Sequence, residues 1–144
     1  MRILLSVLYL LVISSCTVSV NFYLINTSNK NINIVAKLKN KNLESYNLRY
    51  QEGMPEIKFN LVRSLTHKLE TEEIDGKYLH FELPPYSTFF VGNGANFKNF
   101  TFDEIQINHI KKDTVLLNWK NQKLLEKKKS FGKRYSAWYI ITED

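Results

Sequence analysis

The sequence predicts an all-β protein, a two-layer antiparallel β-sandwich of about eight or nine short strands. Three observations carry this expectation. Past residue 16, apolar side chains recur mostly at every second position, which turns one face of each run inward. Turn-forming clusters interrupt these runs at short intervals, and no long stretch of helical periodicity intervenes. Nine Phe, eight Tyr and two Trp give a chain of 144 residues the large side chains that a core between two sheets requires.

The elements follow in order. Val20, Phe22 and Leu24 point inward from a first strand over residues 18–26, with Asn21 and Tyr23 on its other face. Asn26-Thr27-Ser28-Asn29-Lys30-Asn31 then turns the chain. Ile32, Ile34, Ala36 and Leu38 resume inward, so these two runs read as a hairpin. Tyr46, Leu48 and Tyr50 mark a third strand closed by Gly53-Met54-Pro55, and Ile57, Phe59 and Leu61 mark a fourth. The pattern fades over residues 63–75, which read as a loop. Leu79, Phe81 and Leu83 define a strand over residues 78–83, and Pro84-Pro85 stops it because proline cannot donate to a ladder. A short strand over residues 88–91 precedes Gly92-Asn93-Gly94, which reads as a tight turn since these residues tolerate positive φ. Over residues 100–109 the inward parity changes at Asp103-Glu104, between Phe100 and Phe102 before it and Ile105, Ile107 and His109 after it. That change predicts a bulge or bend. Val115, Leu117 and Trp119 make another strand, Lys120-Asn121-Gln122 turns, and residues 123–129 are ambiguous. Gly132 turns again, and Ala137, Tyr139 and Ile141, or Trp138 and Ile140, end the chain as a strand.

Residues 1–16 follow a different rule. Arg2 precedes an apolar run over residues 3–13 that only Ser6 interrupts, and Ile13-Ser14-Ser15-Cys16 follows. A basic start, a short apolar core and small residues make a secretory signal. The run has roughly half of the twenty or so residues that a comfortable membrane span needs. Cys16, the only cysteine, stands where cleavage would leave it first. Ile13-Ser14-Ser15-Cys16 resembles the lipobox of bacterial lipoproteins. The resemblance implies that residues 1–15 are a signal peptide, that Cys16 is lipidated, and that residues 16–144 form a single domain. It also implies an address in the bacterial cell envelope, facing the periplasm or the cell surface, with membrane attachment through N-terminal acyl chains. Each buried methylene adds about 0.8 kcal/mol to such an anchor. With Cys16 acylated no thiol remains for a disulfide, so packing must hold the domain.

The run from Ile25 through Asn26-Thr27-Ser28-Asn29-Lys30-Asn31 to Ile32, with Leu83-Pro84-Pro85-Tyr86-Ser87 much later, resembles small immunoglobulin-like modules of envelope proteins. The resemblance covers about the first two thirds of residues 16–144 and lacks the tryptophan and paired cysteines of antibody domains. It implies an immunoglobulin-like architecture and no activity.

Few residues have the spacing that chemistry needs. The three histidines, His67, His80 and His109, share no metal-ligand spacing with one another. Tyr78, His80 and Glu82 form a stripe on the outward face of one strand, which a solvated face would also show. No nucleophile elbow, phosphate loop or dinucleotide fingerprint is present. Glu70, Glu72, Glu73 and Asp75 lack the alternating ligands and central glycine of a calcium loop. No catalytic residue, metal or cofactor is therefore expected.

Charge is more informative. The chain carries a formal net charge of +6, and its strongest basic cluster is Lys123, Lys127, Lys128, Lys129, Lys133 and Arg134, with Phe131 among them. A hairpin there would press an aromatic into an interface while lysines meet phosphates or carboxylates. The same lysines would also keep an edge strand from aggregating. Tyr46, Tyr50, Tyr86, Phe89, Phe90, Trp138 and Tyr139 exceed what one inward face needs, and outward aromatics stack against sugars or partner chains. Asn26-Thr27-Ser28 and Asn99-Phe100-Thr101 fit the N-glycosylation sequon. The expected function is a non-catalytic envelope lipoprotein that binds or scaffolds. Its expected partners are the membrane and an envelope protein, glycan or anionic surface, and not nucleic acid. Two alternatives remain: an inhibitor or immunity-type lipoprotein acting through the basic hairpin, and a small hydrolase using His80 or His109.

Overall fold

A computed structural model describes residues 17–39, 48–53, 55–96, 101–108, 114–118, 120–130 and 132–142. They form an all-β sandwich. In chain order the strands are β1 (Ser19–Asn26), β2 (Ile32–Leu38), β3 (Arg49–Glu52), β4 (His67–Lys68), β5 (Glu72–Ile74) and β6 (Tyr78–Leu83). They continue as β7 (Ser87–Ala95), β8 (Phe102–Asn108), β9 (Val115–Leu117), β10 (Glu126–Lys129) and β11 (Arg134–Ile141). One sheet has the order β10-β11-β1-β7-β3-β4 and the other β5-β6-β2-β8-β9. Strand neighbours run antiparallel except β1 and β11, the first and last strands, which pair in parallel. β4 and β5 arise from the segment whose pattern predicted a loop. Both are very short, exposed edge strands, so they leave little periodicity to read.

The core between the sheets comes from the alternating residues. Val20, Phe22 and Leu24 of β1 meet Ile32, Ile34 and Ala36 of β2, Leu79, Phe81 and Leu83 of β6, and Ile105 and Ile107 of β8. The rings of Phe81 and Phe89 lie 5.1 Å apart at its centre. The parity change in β8 is a real irregularity: Lys37 pairs with Glu104 and Leu38 with Phe102, leaving Asp103 as the extra residue. The bulge lets Phe102 and Ile105, three residues apart, both point inward, where each is buried.

Three expectations are corrected. The first two strands do not form a hairpin, because β1 belongs to one sheet and β2 to the other. Antibody-type domains keep their first two strands in one sheet. Here the connecting turn crosses the sandwich, and Asn26 ties it down. Its buried Nδ2 donates to the carbonyls of Lys30 at 2.9 Å, Leu83 at 3.2 Å and Pro84 at 2.8 Å, while its Oδ1 accepts from the Ser28 amide and hydroxyl. An amide so enclosed is closed to glycosylation in the folded chain.

Gly92-Asn93-Gly94 is not a turn but part of β7, which continues to Ala95 beside β1. Phe22 pairs with Gly92 and Tyr23 with Phe90, so Val91 is the extra residue of a bulge. Gly92 holds φ at +145°, and a methyl group there would overlap the Thr101 side chain. The glycine serves close approach rather than reversal.

Residues 55–66 are not a strand. They run outside any ladder, through a turn at residues 59–60 into a 3-10 turn over Leu61–Ser64, and lie across the outer face of the larger sheet. Ile57, Leu61 and Leu65 pack there against Tyr23 and Ile25, with Phe90, Trp138 and Ile140 alongside. β1 is thereby buried on both faces from Val20 to Asn26. No helix among the described residues is long and apolar enough to cross a membrane.

Candidate functional site

The basic cluster folds as the sheet-edge hairpin β10–β11. A 3-10 turn over Gln122–Leu124 delivers the chain into β10, and Leu125 anchors that entry in the core. Lys127 pairs with Ala137, Lys128 with Ser136 and Lys129 with Tyr135, and the Ser130 amide donates to the Arg134 carbonyl at 2.8 Å. All four β10 side chains are exposed, as are Lys123, Lys133 and Arg134.

Register divides these cations into two groups. Lys128, opposite Ser136, lies on the outer face that residues 55–66 cover. Its Nζ is 2.8 Å from Glu56 Oε1, and Lys58 Nζ is 3.0 Å from Glu56 Oε2. Hydrogen bonds from Lys128 and then Lys58 hold the Glu56 carboxyl down to about 2. The Arg134 guanidinium sits 5.4 Å from the centre of the Phe59 ring, a cation–π contact. Asn21 Nδ2 donates to the Phe59 carbonyl at 2.7 Å. Two of the predicted contact residues thus clasp the covering segment onto the sheet. Lys127 and Lys129 occupy the opposite face of the same strand, and Lys123 and Lys133 flank it. Cys16 and Phe131 lie outside the described residues, as do Tyr46, Asn99, His109 and Trp119.

Under the covering segment, Tyr23 is buried and its hydroxyl has no well-formed hydrogen bond. Burial pushes its pKa up, outweighing the nearby Asn21 side chain and Val62 backbone. Phe90 packs against it with the rings tilted at 54° and their centres 5.5 Å apart. Several aromatics that read as outward from the sequence are covered here. Ile57, Leu61 and Leu65, spaced by four, were the sequence signal for this segment. Their spacing competes with the period-two reading of Ile57, Phe59 and Leu61.

A second concavity opens where the edge strands β4 and β5 bring the two sheets together. It measures about 630 Å³, and its polar lining includes Asn31, Lys68, Glu70, Glu72, His80 and Glu82. His80 Nδ1 lies 3.9 Å from Glu72 Oε2, and Asn31 Nδ2 donates to Glu82 Oε2 at 2.9 Å. His67 stacks on Tyr50 nearby, with ring centres 5.1 Å apart. The predicted Tyr78-His80-Glu82 stripe is real, and the partner it gains is Glu72 from the adjacent strand. Among the described residues, no three His, Cys, Asp or Glu side chains are placed to hold a metal ion.

Together these features define an all-β sandwich with a clasped outer face and a lysine-rich edge hairpin. Comparison with family models, curated proteins and solved structures finds no match to this chain.

Proposed function

We propose that the chain is a lipid-anchored, non-catalytic binding or scaffolding module of the bacterial envelope, and that the β10–β11 hairpin is its contact surface. One observation supports this reading above the others. The hairpin exposes Lys127 and Lys129 on β10, with Lys123 and Lys133 flanking it, and pairing to β11, burial of Leu125 and the Glu56 clasp hold that strand in place. A cationic surface that is ordered before contact loses less conformational entropy on binding an anionic partner than a flexible tail does. The lipobox-like Ile13-Ser14-Ser15-Cys16 supplies the address.

Two arms test it. Mass spectrometry of the native protein should show an acylated Cys16 as the first residue, and Cys16→Ser should abolish that modification. An unmodified thiol would overturn the lipoprotein part. Separately, Lys123, Lys127, Lys129 and Lys133 are changed together to Glu, and cross-linked partners from envelope fractions are compared with those of wild type. The change should remove salt-sensitive partners. An identical partner set would exclude the hairpin as the contact surface for an envelope protein.

A further inference from the structure

We propose that the tip of the β10–β11 hairpin docks on anionic phospholipid headgroups of the leaflet that holds the Cys16 acyl chains. The inference deepens the lipoprotein reading and rests on it. Its ground is the parallel pairing of β1 with β11. Ser19 stands opposite Arg134, and the Ser19 amide donates to the Lys133 carbonyl at 2.9 Å. The chain is pinned one residue earlier as well. The Val18 amide donates to Asn96 Oδ1 and the Asn96 amide donates to the Val18 carbonyl, each at 2.8 Å.

Cys16 is therefore joined to the folded body by almost no tether. Three residues reach at most about 11 Å, so Lys133 and Arg134 stay close to the acylated residue. That distance is comparable to the Debye length of about 8 Å at physiological ionic strength, so the headgroup potential reaches them. Residues 127–137 contain no acidic side chain, and although Lys128 pairs with Glu56 and Arg134 lies over Phe59, Lys127, Lys129 and Lys133 are also exposed there. Glu126, the nearest carboxylate along the strand, pairs with Trp138, further from the tip. Each basic residue near an anionic leaflet strengthens association by about fivefold. The turn over residues 27–31 lies at the far end of β1, about 23 Å away. Docking would fix the sandwich upright, with that end and its neighbouring Tyr86 facing outward.

The test uses the full chain, made and processed in bacterial membranes and reconstituted into vesicles of phosphatidylcholine, alone or mixed with phosphatidylglycerol. A polarity-sensitive maleimide dye is placed at Ser130→Cys in the hairpin loop or at Lys30→Cys at the far end. Docking predicts that the Ser130→Cys dye shifts to the blue and becomes severalfold less accessible to acrylamide when phosphatidylglycerol is present. High salt, or Lys129→Glu with Lys133→Glu, should reverse the shift, and the Lys30→Cys dye should not respond. Equal accessibility in both vesicle types would overturn docking. Shielding seen only in native envelope vesicles would overturn it in favour of a protein partner. Dye uptake by the wild-type protein would show a free Cys16 thiol and sink the underlying lipoprotein reading instead.

Discussion

Asn26 is fully buried and makes the corner at which the chain leaves one sheet for the other. Only a neutral amide fits, because the site offers three carbonyls to a donor and two donors to an acceptor. Asn26→Ala leaves buried carbonyls unpaired, and Asn26→Asp sets a carboxylate against them. Each is expected to lose about 3 kcal/mol or more in urea unfolding. Gly92 is constrained differently, since a β-carbon would strike Thr101. Gly92→Ala should destabilise the protein by about 2 kcal/mol, whereas Gly53→Ala, with open space around it, should lose less by the same measurement. Neither role was legible beforehand. Asn26 read as the first residue of a polar turn and Gly92 as a reversal, because a turn and a close approach favour the same residue types.

The segment over residues 55–66 depends on two kinds of contact. Leu65, on its sheet-facing side, is almost fully buried, so Leu65→Ala should cost about 3 kcal/mol. In a Trp119→Phe background, a red shift of Trp138 emission would report that the segment has lifted, since Trp138 packs against it. The Glu56 clasp is exposed, so its contribution is small and falls with added salt. Its sign with pH is definite. The carboxyl is depressed from 4.5 to about 2, so its contribution is complete above about 4.5 and fades as pH falls toward 2. Glu56→Gln should flatten the fall in melting temperature over that window. An unchanged pH profile would remove the clasp as a stabilising contact. The basic hairpin itself was partly legible, from its lysines and Gly132. Its division into cations that clasp the outer face and cations on the opposite face was not, because Lys128 and Glu56 lie 72 residues apart.

At the scale of the molecule, the sandwich must protect its sheet edges. β4, β5 and β9 are too short to template another chain, and β10 is guarded by charge. Lys127→Val with Lys129→Val should therefore produce concentration-dependent association in sedimentation velocity, at little cost to the unfolding midpoint. If the variant stays monomeric at high concentration, the lysines are not edge guards. The parallel β1–β11 pair matters at this scale as well, since it places the start of β1 beside the hairpin tip.

The sequence by itself determined the all-β character, the inward faces of β1, β2, β6 and β8, and a change of parity at Asp103-Glu104. Each follows from a local rule that an extended strand puts alternate side chains on opposite faces. Only the tertiary structure decided that the first turn crosses between sheets, that residues 55–66 cover an outer face, and that β1 and β11 pair in parallel. Local alternation records that a face is buried, and not what buries it. That choice is made among partners far apart in sequence, through closure of long loops and the packing of surfaces that no short window contains.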